Sequence, residues 1–235
     1  MVADNAVIEQ QLKTISGMVP VLNLEDYVLL PHAVIPLRFT APADCQLIDD
    51  ALNAHGFIAV DLKQTCPAAG TELSTESGIR TVCVASILAP YQLQSGARSI
   101  LLQGLCRAQM VVLQNSELPY QKTLLDLKTD YYADQPVIHR EHRQLELLEL
   151  YSRLYMDHAS NPMYYHQLHR EVSLGTLCDT LAGTIRLEPA LGQILLHEQD
   201  VDLRSDLLLS FFKNRLRERQ QSPATQTLST DFSCN

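Results

Sequence analysis

The sequence predicts an α+β fold, a mostly antiparallel β-subdomain with one helix followed by a C-terminal helical bundle. Three observations carry that expectation. Up to about residue 130, short apolar runs are separated by Pro, Gly, Ser and Asn, the punctuation of strands and turns. Beyond it, apolar residues recur at helical spacing. Between Val19 and Phe39, Pro31 and Pro36 interrupt an apolar stretch and exclude a continuous helix, because each lacks an N–H and biases its predecessor towards extended geometry. The expected division is an arm over residues 1–18, a β-rich part over 19–130, a helical part over 131–219 and a disordered tail over 220–235, which is rich in Ser, Thr and Gln.

Taken in order, the first stretch reads as two apolar strands around a hinge: Val19, Val21 and Leu24 lead into the apolar block Tyr27–Leu30, and Val34-Ile35-Pro36-Leu37 follows the interruption at Pro31-His32-Ala33. Leu47, Ile48, Ala51 and Leu52 share one helical face, with Asp44 the expected N-cap, and His55-Gly56 ends that helix. Phe57-Ile58-Ala59-Val60 reads as a buried strand, and Gln64 to Gly78 as a surface loop. Ile79 to Ala89 is a further strand, turning back at Ser95-Gly96 into Ser99–Leu105. Gly104 is expected to make a corner into another strand from Ala108 to Leu113, and Leu118-Pro119-Tyr120 to open the last one.

Helical patterning starts with His139 to Tyr155, where Leu147, Leu150, Tyr151 and Leu154 share a face, and Asn161-Pro162 is a stop signal. Ser173 is placed to cap a helix with Leu174, Leu177, Cys178, Leu181, Ala182 and Ile185 on one side. Pro189 begins a third helix and Asp202 a fourth.

The 46% hydrophobic content is that of a folding chain, and the formal charge of -9 is spread over both halves. With no basic half, counterion release from nucleic acid is not available, so nucleic-acid and anionic-membrane partners are disfavoured. No apolar run reaches membrane-spanning length and no leader pattern opens the chain, which predicts a cytoplasmic protein. Six cysteines, Cys45, Cys66, Cys83, Cys106, Cys178 and Cys234, form no C-x-x-C and read as reduced thiols rather than a metal or disulfide framework.

Several of these stretches together resemble the N-terminal, substrate-binding domain of the Lon protease family. Leu30-Pro31-His32 stands where the family usually has Phe-Pro-Gly, and Val34-Ile35-Pro36-Leu37 matches the block that follows. Gly104-Leu105-Cys106-Arg107 resembles the family's Gly-x-x-Arg, and Pro119-Tyr120 its Pro-aromatic pair. Leu177-Cys178-Asp179, Gly192-Gln193-Ile194-Leu195-Leu196 and Val201-Asp202-Leu203-Arg204 follow in family order, so the resemblance covers Val19 to Leu216. Leu30, Pro31, Pro36, Gly104, Arg107, Pro119 and Tyr120 are the motif residues. The resemblance implies recognition of unfolded or degron-bearing polypeptides, or of a protein partner, by a stand-alone adaptor or regulator in protein quality control. A small-molecule-binding or dedicated partner-binding regulator is the alternative reading.

Catalytic and cofactor signatures are sought without success. ATPase chemistry would need G-x-x-x-x-G-K-[ST], and no Gly-Lys pair occurs. Ser210 and Lys213 have S-x-x-K spacing but none of the partner motifs, and the intervening phenylalanines read as a core face. His139/His142 and His166/His169 are spaced i, i+3 without the carboxylates a metal site would require. No catalytic residue, metal ligand or cofactor is therefore assigned. Lys213, Arg215, Arg217 and Arg219 read as cations complementing a helix C-terminus, and Tyr91 and Leu93 as packing residues.

Overall fold

The computed structural model describes residues 17–63, 80–114, 117–155, 172–185 and 187–221. The N-terminal arm up to residue 16, the loop from Gln64, Cys66, the His166/His169 pair, the Asn161-Pro162 stop and the tail beyond residue 221 lie outside the described residues.

Six strands form one sheet: β1 (Val19–Leu24), β2 (Val34–Phe39), β3 (Phe57–Leu62), β4 (Arg80–Gln92), β5 (Arg98–Gln114) and β6 (Lys122–Lys128). Their order is β2-β5-β4-β3-β1-β6, and β6 also pairs with β5. The second pairing closes β1, β3, β4, β5 and β6 into a ring, in which β1 meets β6 at Val19 and Pro20, while β2 extends the sheet alongside the first half of β5. Pairing is antiparallel apart from β1 with β3, which run parallel and are joined through β2 and a helix.

β1, β3 and the first half of β4 are buried on both faces, so they read as nearly continuous apolar runs rather than alternating ones. Val21, Ala59, Val82, Val84, Ala108 and Met110 form a cluster without a single helical residue, and fill the lumen. Alternate positions, including Leu22, Ile58, Val60, Cys83 and Ala85, point outward and join the helices in the main core.

Helix α1 (Pro42–Ala54) lies against β1 and β3, burying Leu47, Ile48 and Ala51. It starts two residues before the expected cap: Ala41 is the N-cap, Pro42 takes the first helical position, and Asp44 sits in the first turn near the positive end of the dipole. Arg98 at the start of β5 grips Asp49 of this helix through two bonds of 2.7 Å. The Tyr120 hydroxyl donates to Asp50 at 2.5 Å.

Helices α2 (Arg140–Tyr155), α3 (Leu174–Thr184) and α5 (Val201–Gln221) pack together, and α4 (Pro189–His197) rests on β4. Ser173 caps α3 as expected, accepting from the Thr176 N–H at 3.2 Å. Helix α5 starts at Val201 rather than Asp202 and runs on to Gln221, so the helix enters the segment expected to be a disordered tail. Arg143 bonds to Ser205 at 2.8 Å and pairs with Asp206, and Arg140 bonds to Asp202 at 2.7 and 3.1 Å, which clamps α2 to α5.

Three further expectations are corrected. The block Tyr27–Leu30 is a buried link outside the ladder, with Leu29 and Leu30 in the main core. Gly104 makes no corner: β5 is one strand of 17 residues, bent by a register shift in which Leu105 is the extra residue between Gly104 and Cys106. Tyr91 is not a packing residue, being 64% exposed; it pairs with Ser99 of β5 just after the register shift that follows Leu88. The hairpin beside it closes through the Leu93 N–H to the Ala97 carbonyl at 2.9 Å.

Candidate functional site

Two places combine polar or aromatic groups from several elements: a buried ionic joint between the ring and the helices, and an open cleft at the far end of the helices. The joint explains the sequence motifs. Arg107 on β5 is 3% exposed and donates to both carboxylate oxygens of Asp179 on α3, at 2.8 and 2.6 Å. Its remaining donors reach the Leu196 carbonyl at 3.1 Å and the Leu195 carbonyl at 3.2 Å, the end of α4. Arg204 on α5 is fully buried and takes Asp130 in the same two-pronged way, at 2.9 and 2.6 Å. Each arginine also lies 3.5 Å from the other's carboxylate, so two cations and two anions close a square.

Bidentate pairing of this kind satisfies charges that would be costly to bury alone. Gly-x-x-Arg, Leu-Cys-Asp, the Leu-Leu pair and Val-x-x-Arg, scattered over the chain, meet here. Gly175 admits the square: a Cβ there would lie 2.8 Å from Arg204 Nη2 and 2.9 Å from Tyr132 Oη, and closer still to Asp130 Oδ2.

The other motif residues lie in the link before β2, on β2 itself and just before β6. His32, standing where the resemblance expects glycine, has a left-handed backbone with φ of 65°. Its N–H donates to the Gly104 carbonyl at 2.9 Å, and the Gly104 N–H donates back to the Ala33 carbonyl at 2.9 Å. The link from Leu30 to Ala33 thus crosses β5 at Gly104, where a side chain would collide with the Leu30 carbonyl. Burial pushes the His32 imidazole below its ordinary range, opposed by the nearby Asp179 carboxylate. Pro31 is buried, whereas Pro36 is exposed on β2, an edge strand where proline is tolerated. Pro119 is exposed, and Tyr120 is buried on the core with its hydroxyl pushed up to about 12 by burial and by Asp50.

The cleft has a volume of about 750 Å³ and lies between α2, the end of α3 and α5. Tyr151, Leu154 and Tyr155 form one wall, Thr184 and Ile185 the base, and Phe211, Arg215, Glu218 and Arg219 the other wall. Tyr151 and Tyr155 are one turn apart on α2, with rings 5.3 Å apart, and Phe211, Arg215 and Arg219 are successive turns of α5. The Arg215 guanidinium lies 5.5 Å over the Phe211 ring. Tyr151 is fixed by its hydroxyl bond to Thr184 at 2.8 Å. Two of the four cations assigned from sequence to the helix dipole therefore line a concavity. The signal was present as aromatic and cationic residues four apart on two helices, but neither stripe says that the two face each other.

Other candidate residues do not assemble into chemistry. Ser210 is exposed, Phe212 is core, and Lys213 pairs with Glu146 at 2.7 Å. His139 and His142 meet edge-on with ring centres 6.0 Å apart, and no group of three metal-ligating side chains occurs among the described residues. Cys45, Cys83 and Cys178 are free thiols, with Cys83 and Cys178 pushed up by burial. Among the described residues no helix is long and apolar enough to cross a membrane.

A closed strand ring, stapled by buried arginine–aspartate pairs to a helical part that carries an open cleft, defines a small α+β scaffold. Residues 18–214 match the family described as the ATP-dependent protease La (LON) substrate-binding domain, and the chain belongs to that family. It is 25% identical over 206 residues to Lon protease of Escherichia coli K12, and 29% identical over 210 residues to Lon protease of Roseiflexus castenholzii. Those matches cover 84% and 88% of this chain but 25% of each relative, so the chain spans about a quarter of the curated relatives it matches. The fold is shared with the N-terminal domain of Mycobacterium avium complex Lon protease, at a TM-score of 0.63 and 19% identity, covering 84% of this chain and 99% of that one. The Lon N-terminal domain protein from Xanthomonas campestris gives 0.58 and 19%, covering 83% and 98%.

Proposed function

We propose that this protein is a non-enzymatic module that binds polypeptides, acting as an adaptor or regulator in protein quality control. Membership of the Lon substrate-binding family supports the class of ligand. The observation that carries the reading is the cleft of about 750 Å³ walled by Tyr151, Tyr155 and Phe211, a size and lining suited to side chains of a bound chain. Its walls come from helices locked by the α2–α5 clamps, so binding requires little ordering of the receptor. The open edge of β2 is a weaker candidate for strand addition, because Pro36 has no N–H to offer an incoming strand.

Binding of reduced, alkylated α-lactalbumin to the immobilised protein, with native α-lactalbumin as control, tests the reading. Preferential binding of the unfolded form is expected. Equal or absent binding of both forms up to high micromolar concentration would overturn it.

A further inference from the structure

Charge is distributed unevenly around the cleft in a chain whose formal net charge is -9. From Lys213 to Arg219, helix α5 carries four bases and one acid. Lys213 is engaged by Glu146 at 2.7 Å, and Arg217 reaches Asn214 at 3.5 Å on another side of the helix. Arg215 and Arg219 remain on the cleft wall. Arg219 has no acidic partner among the described residues, and Arg215 has Glu218 at 3.3 Å in a half-exposed pair that contributes little and is readily exchanged. Both guanidiniums act on the Tyr155 hydroxyl, opposing the effect of burial there, so their positive potential reaches the aromatic wall. The concavity therefore offers two features in a fixed relation: an aromatic and aliphatic lining from Tyr151, Leu154, Ile185 and Phe211, and two guanidiniums one helical turn apart on one wall.

We propose that this cleft seats a polypeptide segment in which an aromatic or large apolar side chain is followed closely by carboxylates, the ring entering between Tyr155 and Phe211 and the carboxylates meeting Arg215 and Arg219. The proposal rests on the reading of the protein as a polypeptide binder and specifies which sequences it selects. Apolar burial supplies the affinity, and the guanidiniums choose among apolar segments by the charge beside them. Segments flanked by lysine are rejected by the same two arginines, a discrimination that a purely apolar groove would lack.

The test uses the whole protein and fluorescein-labelled peptides followed by anisotropy: Gly-Ser-Phe-Phe-Asp-Glu-Gly, and the same peptide with Lys-Lys replacing Asp-Glu. The acidic peptide is expected to bind the protein at least about tenfold more tightly than the lysine peptide, and to weaken with added salt. Arg219→Glu is expected to weaken the acidic peptide about fivefold or more, whereas Arg217→Glu, the same charge change on another side of the helix, changes it less than about twofold. Both positions are exposed, so folding is not at stake. Equal effects of the two reversals would overturn the proposal, as would equal binding of the two peptides. If unfolded α-lactalbumin binds the protein and the Arg219→Glu variant alike, polypeptide recognition stands and the cleft assignment falls. If the unprocessed comparison of unfolded and native α-lactalbumin shows no preference, the functional reading itself falls.

Discussion

Replacing Arg107 with methionine isolates the contribution of the ionic joint. The substitution keeps most of the side chain's length but removes both bonds to Asp179 and the donors to the Leu195 and Leu196 carbonyls. Asp179, 2% exposed, would retain only the Arg204 Nε at 3.5 Å, and Arg204 is already committed to Asp130. Breaking a buried pair by removing one partner costs about 3–5 kcal/mol, and each carbonyl left without a donor adds up to about 1–3 kcal/mol where water cannot reach it. These contributions overlap, so a loss of about 4 kcal/mol is expected. Urea unfolding monitored by circular dichroism measures it as a shift of midpoint at unchanged slope. The double variant Arg107→Met, Asp179→Leu removes the stranded charge and should be more stable than Arg107→Met alone, by about 1–3 kcal/mol. A single-variant loss below about 1 kcal/mol, or a double variant no better than the single, would refute the reasoning that this square holds ring and helices together.

Smaller effects are expected elsewhere. His32→Gly relieves a left-handed backbone that costs about 1–2 kcal/mol and returns about 0.5–1 kcal/mol as chain entropy, so a small gain in urea midpoint is expected near neutral pH. Because the folded state holds His32 below its ordinary range, its contribution is complete above the unfolded value near 6.5 and is lost as pH falls below it. The advantage of His32→Gly over the parent should therefore grow between pH 7.5 and pH 5.5, and an advantage independent of pH would contradict that assignment. Gly175→Ala should destabilise by more than about 2 kcal/mol in thermal unfolding, since its methyl group would displace Asp130 from Arg204. Tyr120→Phe removes the hydroxyl bond to Asp50 and should cost about 1–2 kcal/mol, read from the same unfolding curves.

Local patterns were legible because they are set within a few residues. The strand runs, the Ser95-Gly96 turn, the Ser173 cap and the α3 face from Leu174 to Ala182 all follow from spacing and turn chemistry. Ring closure was not, because nothing local to Lys122–Lys128 says that it pairs with both β1 and β5, and the parallel β1–β3 pair depends on the connection folding back. Arg107 was singled out by family resemblance alone. Its partner Asp179 is 72 residues away, and burial of a charge is decided by what folds over it. Gly104 shows the same limit: a glycine between two apolar runs suggests a corner, while the structure uses it for the close approach of the Leu30 carbonyl. At α1 the signal was misread rather than missing, because Pro42 marks the first helical position more directly than Asp44 marks a cap. The cleft was least legible, since Tyr151 read as part of a core face and Arg215 and Arg219 as dipole partners until α2 and α5 are placed side by side.

Hydrogen–deuterium exchange of the intact protein, with and without saturating reduced and alkylated α-lactalbumin, tests the central claim most directly. The account predicts slowed exchange in the last turn of α2 around Tyr151–Tyr155 and in α5 from Phe211 to Arg219, with little change in the buried ring strands, whose amides are already paired. Exchange unaltered at both helix ends, or protection confined to β2, would contradict it.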